Sequence, residues 1–135
     1  MGQNITRHVK DMVAAANAEV ESIAVEDAAA LLDDDGTVIV DIRDPRELRR
    51  EGKLPGAFSC PRGMLEFWID PQSPYHKDVF DQDKRYVFYC ASAWRSALAS
   101  KVAQDMGLKP VAHIAGGFSA WKKAGLPIEE VQPGG

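Results

Sequence analysis

Cys90 closes an apolar run, Tyr86-Val-Phe-Tyr-Cys90, and opens the loop Cys90-Ala91-Ser92-Ala93-Trp94-Arg95-Ser96. A helix-like stretch follows at once. A thiol between a strand and a helix faces the backbone N–H groups of the loop and the positive end of the helix dipole. Such surroundings favour the thiolate, the reactive form of cysteine. Arg95 adds a permanent cation five residues on. The set suits a thiolate that holds an anionic or sulfur-rich adduct. The competing assignment for a free cysteine is a small buried apolar residue; the strand-to-helix position beside an arginine favours chemistry.

Other candidate groups come from the ends of neighbouring runs. Asp41 ends Thr37-Val-Ile-Val-Asp41, and Arg43 follows it. Arg62 follows a shorter run, Ala57 to Cys60. Sites in open α/β sheets lie beyond the carboxyl ends of the strands, so Asp41, Arg43, Arg62 and Cys90 are placed to converge on one pocket. Asp41 reads as a hydrogen-bonding brace rather than an acid or base, and Arg43 as its structural partner. Arg62 reads equally as a source of positive field for an anion or as half of an ion pair. Trp94 is unusual inside a reactive loop. It walls the pocket or marks a partner contact, tryptophan being enriched in binding hot spots, or it packs on Phe67 and Trp68. Cys60 and His113 read as core residues, with Cys60 as a resolving thiol the lesser alternative.

The elements that must position these groups follow from periodicity. Ile5, Val9, Met12, Val13, Ala16 and Val20 recur at helical spacing, which predicts an amphipathic helix over 5–20. A second helix is expected over Val25–Leu32, ending in the acidic turn Asp33-Asp-Asp-Gly36. The β-branched run Thr37–Asp41 predicts a buried parallel strand. Pro45 opens a short helix over Arg46–Arg50, and Pro55-Gly56 marks a turn. Residues 61–84 are irregular but rich in aromatic residues, so they pack as a lid or a short helix. Tyr86–Cys90 is the next strand. Arg95–Met106 follows as a helix with Leu98, Val102 and Met106 on one face, stopped by Gly107. Val111–Ile114 is the last strand, and Phe118–Ala124 the last helix. Strands alternating with helices predict an α/β domain with a mainly parallel sheet.

The 135 residues suit one domain. Apolar residues make up 45% and charged residues 27%, as in a soluble globular protein. The net charge of -4 argues against nucleic acid as the main partner, since that footprint is basic. Two cysteines and three histidines form no C-x-x-C and no zinc pattern, so neither metal nor cofactor is called for. Free thiols in a reducing, cytoplasmic setting fit better than a disulfide. No secretory signal and no apolar run of membrane-spanning length is present, so no membrane association is expected.

These landmarks resemble the rhodanese family, the single-domain sulfurtransferases, over about residues 22–129. Val38-Ile-Val-Asp41-Ile-Arg43 looks like the family's first core strand and its D-x-R signature, and Glu47 like the acidic residue of the helix that follows. Gly52-Lys-Leu-Pro55-Gly56-Ala57 looks like its G-H-I-P-G-A. Tyr89-Cys90-Ala-Ser-Ala-Trp-Arg95-Ser96 looks like its active-site loop. Gly116-Gly117-Phe118-Ser-Ala-Trp121, then Gly125-Leu126-Pro127, looks like its C-terminal ending. Two departures stand out. Lys53 replaces a histidine that is generally structural, and the loop has no glycine, although alanine is more restricted than glycine at positive φ.

The resemblance implies a rhodanese-like α/β fold. Its core is a mainly parallel five-stranded sheet flanked by helices on both faces, with the N-terminal helix as an addition. The chain divides into an N-terminal extension (1–21), the rhodanese-like domain (22–130) and a tail (131–135). The resemblance also implies sulfur transfer from a small anionic donor such as thiosulfate to cyanide, a thiol or a protein acceptor. Cys90 would be the nucleophile. Ala91, Ser92, Ala93, Trp94, Arg95 and Ser96, with Arg62, would bind the donor, and Asp41 and Arg43 would support the site. No cofactor is implied. A second reading makes the domain a sulfur carrier or docking module without turnover. A third, phosphatase or arsenate reductase, meets an obstacle in the loop. Cysteine phosphatases use C-x-x-x-x-x-R, and Cys90 to Arg95 is one residue shorter, a cradle better sized for one sulfur.

Overall fold

A computed structural model describes residues 2–132 of the chain. The order is α1 (Val9–Asn17), β1 (Glu21–Ile23), α2 (Val25–Ala29), β2 (Thr37–Asp41), α3 (Pro45–Glu51), β3 (Phe58–Ser59), α4 (Leu65–Ile69), β4 (Arg85–Tyr89), α5 (Trp94–Asp105), β5 (Val111–Ile114) and α6 (Gly117–Lys123). The five strands form one parallel sheet in the order β1-β5-β4-β2-β3. From β2 the chain moves outward to β3, then crosses back to β4 on the other side. The carboxyl ends of β2 and β4 therefore flank a switch point, where such sheets place their sites.

Burial on both faces explains the continuous apolar strands. Along β4 the side chains alternate. Tyr86 and Phe88, with Cys90 just beyond, join one core with Val40, Cys60, Leu65, Ile69 and Ala99. Val87 and Tyr89 join the other with Ile23, Ala28, Leu54, Ile114, Phe118 and Trp121. The first core lies under α4 and α5, the second under α2 and α6. In register, Asp41 pairs with Tyr89 and Val40 with Phe88, so the ends of β2 and β4 lie side by side. The expected fold class holds: a parallel five-stranded α/β sheet with helices on both faces and an added N-terminal helix.

Several expectations need correction. The first helix spans Val9–Asn17 rather than 5–20, and Ile5 is 64% exposed. The second stops at Ala29, and turns continue toward Asp34. The buried face of α5 is Ser96, Ala97, Ala99, Ser100 and Ala103, not the Leu98–Val102–Met106 row. Small residues let this helix lie close against β4 and β5. Its larger residues turn outward instead: Leu98 packs on Val13 and Ala16 of α1, and Met106 is 41% exposed. The Ala57–Cys60 run yields only a two-residue strand. The irregular stretch does pack, as two single 3-10 turns, Arg62–Met64 and Asp78–Phe80, and the short helix α4. The proposed tail lies partly outside the described residues. No helix among the described residues is long and apolar enough to cross a membrane.

Candidate active site

Cys90 sits at the carboxyl end of β4, where the loop turns into α5. The chain turns so tightly there that Ala93 adopts φ 87°, the left-handed region, as N-cap of α5. Glycine is the usual residue for such a backbone. The turn folds the first amides of α5 back over the thiol. Ala93 N–H donates to Cys90 Sγ at 3.1 Å and Ser96 N–H at 3.3 Å. No side chain caps this helix, so the sulfur takes the place of a cap for two of its orphan donors. Cys90 is itself 1% exposed. A negative sulfur here gains from both amides and from the helix dipole.

A second turn supports the loop from behind. Phe118 N–H donates to the Cys90 carbonyl at 2.8 Å and Ser119 N–H to the Ala91 carbonyl at 3.0 Å. The contact is so close that a Cβ on Gly117 would run into the Cys90 carbonyl and lie 2.8 Å from that of Ala91. Gly117 is also at φ 57°. Only glycine fits.

Arg95 hydrogen-bonds to Glu47 rather than to the sulfur. Its guanidinium makes a two-pronged pair with Glu47 of α3, Nη1 to Oε2 at 2.9 Å and Nη2 to Oε1 at 3.0 Å. Glu47 Oε2 also accepts from Asp44 N–H, completing a capping box in which the Asp44 side chain accepts from the start of α3. The hydrogen bonds from Arg95 hold the Glu47 carboxyl below its ordinary range, and Glu47 in turn raises Arg95. This pair ties the helix after β2 to the helix after β4, across the switch point.

Asp41 and Arg43 form a buried brace under the same crevice. Asp41 accepts from Arg43 N–H, Nε and Nη2, the last at 2.7 Å, with both side chains fully buried. Arg43 Nη2 also donates to the Gly52 carbonyl at 2.7 Å. Its guanidinium lies over the Phe118 ring, 4.2 Å from the centroid. A cation enclosed in this way supports the fold and does not reach out to a ligand. The Tyr89 hydroxyl accepts from Leu54 N–H, and burial raises its pKa strongly, with the Asp41 charge adding to that. Lys53 donates to the Ala57 carbonyl at 2.7 Å and so closes the turn over Pro55-Gly56.

The remaining candidates separate. Ala91 is half-buried and Ser92 exposed in the loop, and Trp94 at the head of α5 is 49% exposed. The lid aromatics form their ring pairs with residues other than Trp94: Phe67 with Tyr75, and Trp68 with Phe58. Arg62 pairs with Glu66 at 2.8 Å and lines a separate cavity with Arg7, Met12, Leu98 and Lys101. It makes no hydrogen bond to the Cys90 loop. Cys60 and Cys90 are both free thiols. Burial pushes the Cys60 thiol up to about 12, which makes it a core residue rather than a nucleophile. Among the described residues no cluster of His, Cys, Asp and Glu is placed to hold a metal ion.

Sequence reasoning missed what joins these groups. Glu47 was visible only as a position of the family pattern, and its partner lies 48 residues away. The close approach of Gly117 to the loop was legible only as a turn.

The family model of the rhodanese-like domain matches residues 24–124. The chain belongs to the rhodanese-like domain family. A sulfurtransferase of Allochromatium vinosum is 32% identical over 98 residues, 73% of this chain and 83% of that one. An uncharacterized Synechocystis protein is 33% identical over 106 residues, 78% of this chain; the match spans only 54% of that protein. Among solved structures, a Rhodopseudomonas palustris protein of unknown function, described as a possible tyrosine phosphatase, is 63% identical with a TM-score of 0.93, covering 96% of this chain and 99% of that one. The polysulfide-sulfur transferase homodimer of Wolinella succinogenes is 30% identical with a TM-score of 0.68, covering 93% and 89%.

Proposed function

We propose that this rhodanese-like domain is a sulfurtransferase that carries sulfane sulfur as a persulfide on Cys90. The observation that carries the reading is the pair of backbone amides, from Ala93 and Ser96, directed at Cys90 Sγ at the start of α5. Its similarity to a sulfurtransferase and to a polysulfide-sulfur transferase supports the same reaction class. The donor is a small anion with a sulfane sulfur, such as thiosulfate. The Cys90 thiolate attacks the outer sulfur. An S–S bond forms to Cys90, the S–S bond to the sulfite sulfur breaks, and sulfite leaves with that electron pair. The terminal sulfur of the persulfide is then the anion that the loop amides stabilise. Cyanide, a thiol or a protein thiol attacks this sulfur and restores the Cys90 thiolate. One difficult transfer is thereby divided into two easier ones. Arg95, held by Glu47, fixes the first turn of α5 and adds positive field at the loop mouth.

The Rhodopseudomonas palustris relative favours a second reading, phosphate-ester hydrolysis. Two features oppose it. The loop is one residue short of C-x-x-x-x-x-R, and both outer nitrogens of Arg95 are engaged by Glu47. The test sets thiosulfate with cyanide against p-nitrophenyl phosphate, for the native chain and for Cys90→Ser. Thiocyanate release that is lost in Cys90→Ser supports sulfur transfer. Ester hydrolysis without thiocyanate release supports the phosphatase. Thiocyanate release that survives in Cys90→Ser removes Cys90 as the nucleophile.

A further inference from the structure

Ser96 is fully buried and does more than lend an amide to the sulfur. Its hydroxyl lies 2.9 Å from His113 Nδ1 and 3.3 Å from the Ala93 carbonyl. His113 is on β5 and 1% exposed. Its Nε2 lies 2.9 Å from Asn17 Oδ1, at the end of α1 and 96 residues away in the chain. An acceptor oxygen at Nε2 selects the tautomer with its proton there, leaving Nδ1 as a lone pair that accepts the Ser96 hydroxyl proton. Every link in the row is then satisfied: Asn17 oxygen, His113 N–H, His113 lone pair, Ser96 O–H. Burial keeps the imidazole below its ordinary pKa, consistent with the neutral ring that this row requires.

The row ends on the residue whose amide faces Cys90 Sγ. The N-terminus of α5 has no side-chain cap, so its first turn is held by two ties, Arg95 to Glu47 and the Ser96 hydroxyl to His113. The helix that supplies Asn17 lies before the matched family region, residues 24–124. It packs on α5 through Val13, Ala16, Ala97 and Leu98.

We infer that Asn17 and His113 are positioning residues for the Cys90 loop: the N-terminal helix, through the Asn17–His113–Ser96 row, aims the Ser96 amide at the Cys90 sulfur. The extension is thus a working part of the site rather than an added ornament. The inference extends the sulfurtransferase reading but concerns the thiolate, so it can be tested without sulfur transfer. A merely structural row would alter stability alone.

Three substitutions separate these roles. Asn17→Ala changes an exposed helical position to a better helix former, so the fold is not at risk. His113→Asn keeps an oxygen near the Nδ1 position for Ser96. His113→Gln keeps an amide near Nε2 for Asn17 and leaves Ser96 without its acceptor. The readout is the Cys90 thiolate fraction at one fixed pH, taken from ultraviolet thiolate absorbance with Cys90→Ser as the blank, beside the melting temperature. Asn17→Ala and His113→Gln are expected to lower the thiolate fraction by about threefold, part of one charge-assisted hydrogen bond. His113→Asn should retain most of it, although both histidine variants melt earlier. A native thiolate fraction in Asn17→Ala overturns the inference, as does equal loss in the two histidine variants. If native protein forms thiolate but transfers no sulfur, the functional reading fails and the positioning row stands.

Discussion

Glu47→Gln isolates the tie between the two helices that follow β2 and β4. Glutamine at this position still reaches Asp44 N–H through its one carbonyl oxygen, so the capping box survives; the charge opposite Arg95 goes, and with it the acceptor for Arg95 Nη2. Were this an open surface pair it would contribute less than about 1 kcal/mol. Glu47 is only 19% exposed, but Arg95 is 42% exposed, so solvent screens one side. A two-pronged, half-shielded pair of this kind contributes about 1 to 1.5 kcal/mol. For a domain of this length that corresponds to a loss of about 3 to 5 °C in melting temperature. The pH dependence has a definite sign. Arg95 depresses the Glu47 carboxyl below its reference value of 4.5. Stability from the pair is therefore complete above that value and is lost as pH falls through the depressed folded-state value. Urea unfolding at neutral pH and at strongly acid pH, on native protein and variant, measures both. The gap between them should be widest at neutral pH and shrink in acid, and sulfur transfer should fall with it because α5 loses its anchor. A variant as stable as native protein at neutral pH, or a gap that does not change with pH, would refute the reasoning.

Four other perturbations follow from the loop and the residues around it. Gly117→Ala forces a Cβ into the Cys90 carbonyl at a left-handed backbone position; it should cost about 2 to 3 kcal/mol in urea titration and remove most transfer activity. Ala93→Gly relieves about 1 kcal/mol of strain at φ 87° but gives back a similar amount of chain entropy, leaving stability nearly unchanged, whereas Ala93→Val should lose more than about 1.5 kcal/mol. Cys60, raised to about 12 by burial, should resist alkylation at neutral pH in the folded protein and react only on unfolding, as peptide mapping would show.

What the sequence made legible was whatever is written locally. The β-branched run over Thr37–Asp41 and the apolar run ending at Cys90 matched β2 and β4 almost residue for residue. The order of motifs along the chain pointed to the family later shown by the comparisons. The inner face of α5 is not legible in the sequence because Ser96, Ala97, Ala99, Ser100 and Ala103 carry little hydrophobic signal; they are buried for their small size. Leu98 has the spacing of a core residue, yet it serves the contact with α1. Arg95 is expected from the sequence to serve the loop and its donor, but no local pattern reveals that Glu47 will meet it from another helix. Arg62 follows a strand as Cys90 does, and the sequence leaves it equally a donor contact or half of an ion pair; the 3-10 turn after Pro61 places it against Glu66. Pairings such as Asn17 with His113, made only when the chain folds, leave no local trace.

The most direct test of the central claim is the intact mass of the protein after thiosulfate treatment, before and after cyanide. A gain of about 32 Da that maps to Cys90 and disappears with cyanide is the covalent route predicted for a persulfide carrier. Folded protein with a reduced Cys90 that gains no mass, while thiocyanate still appears, would contradict it.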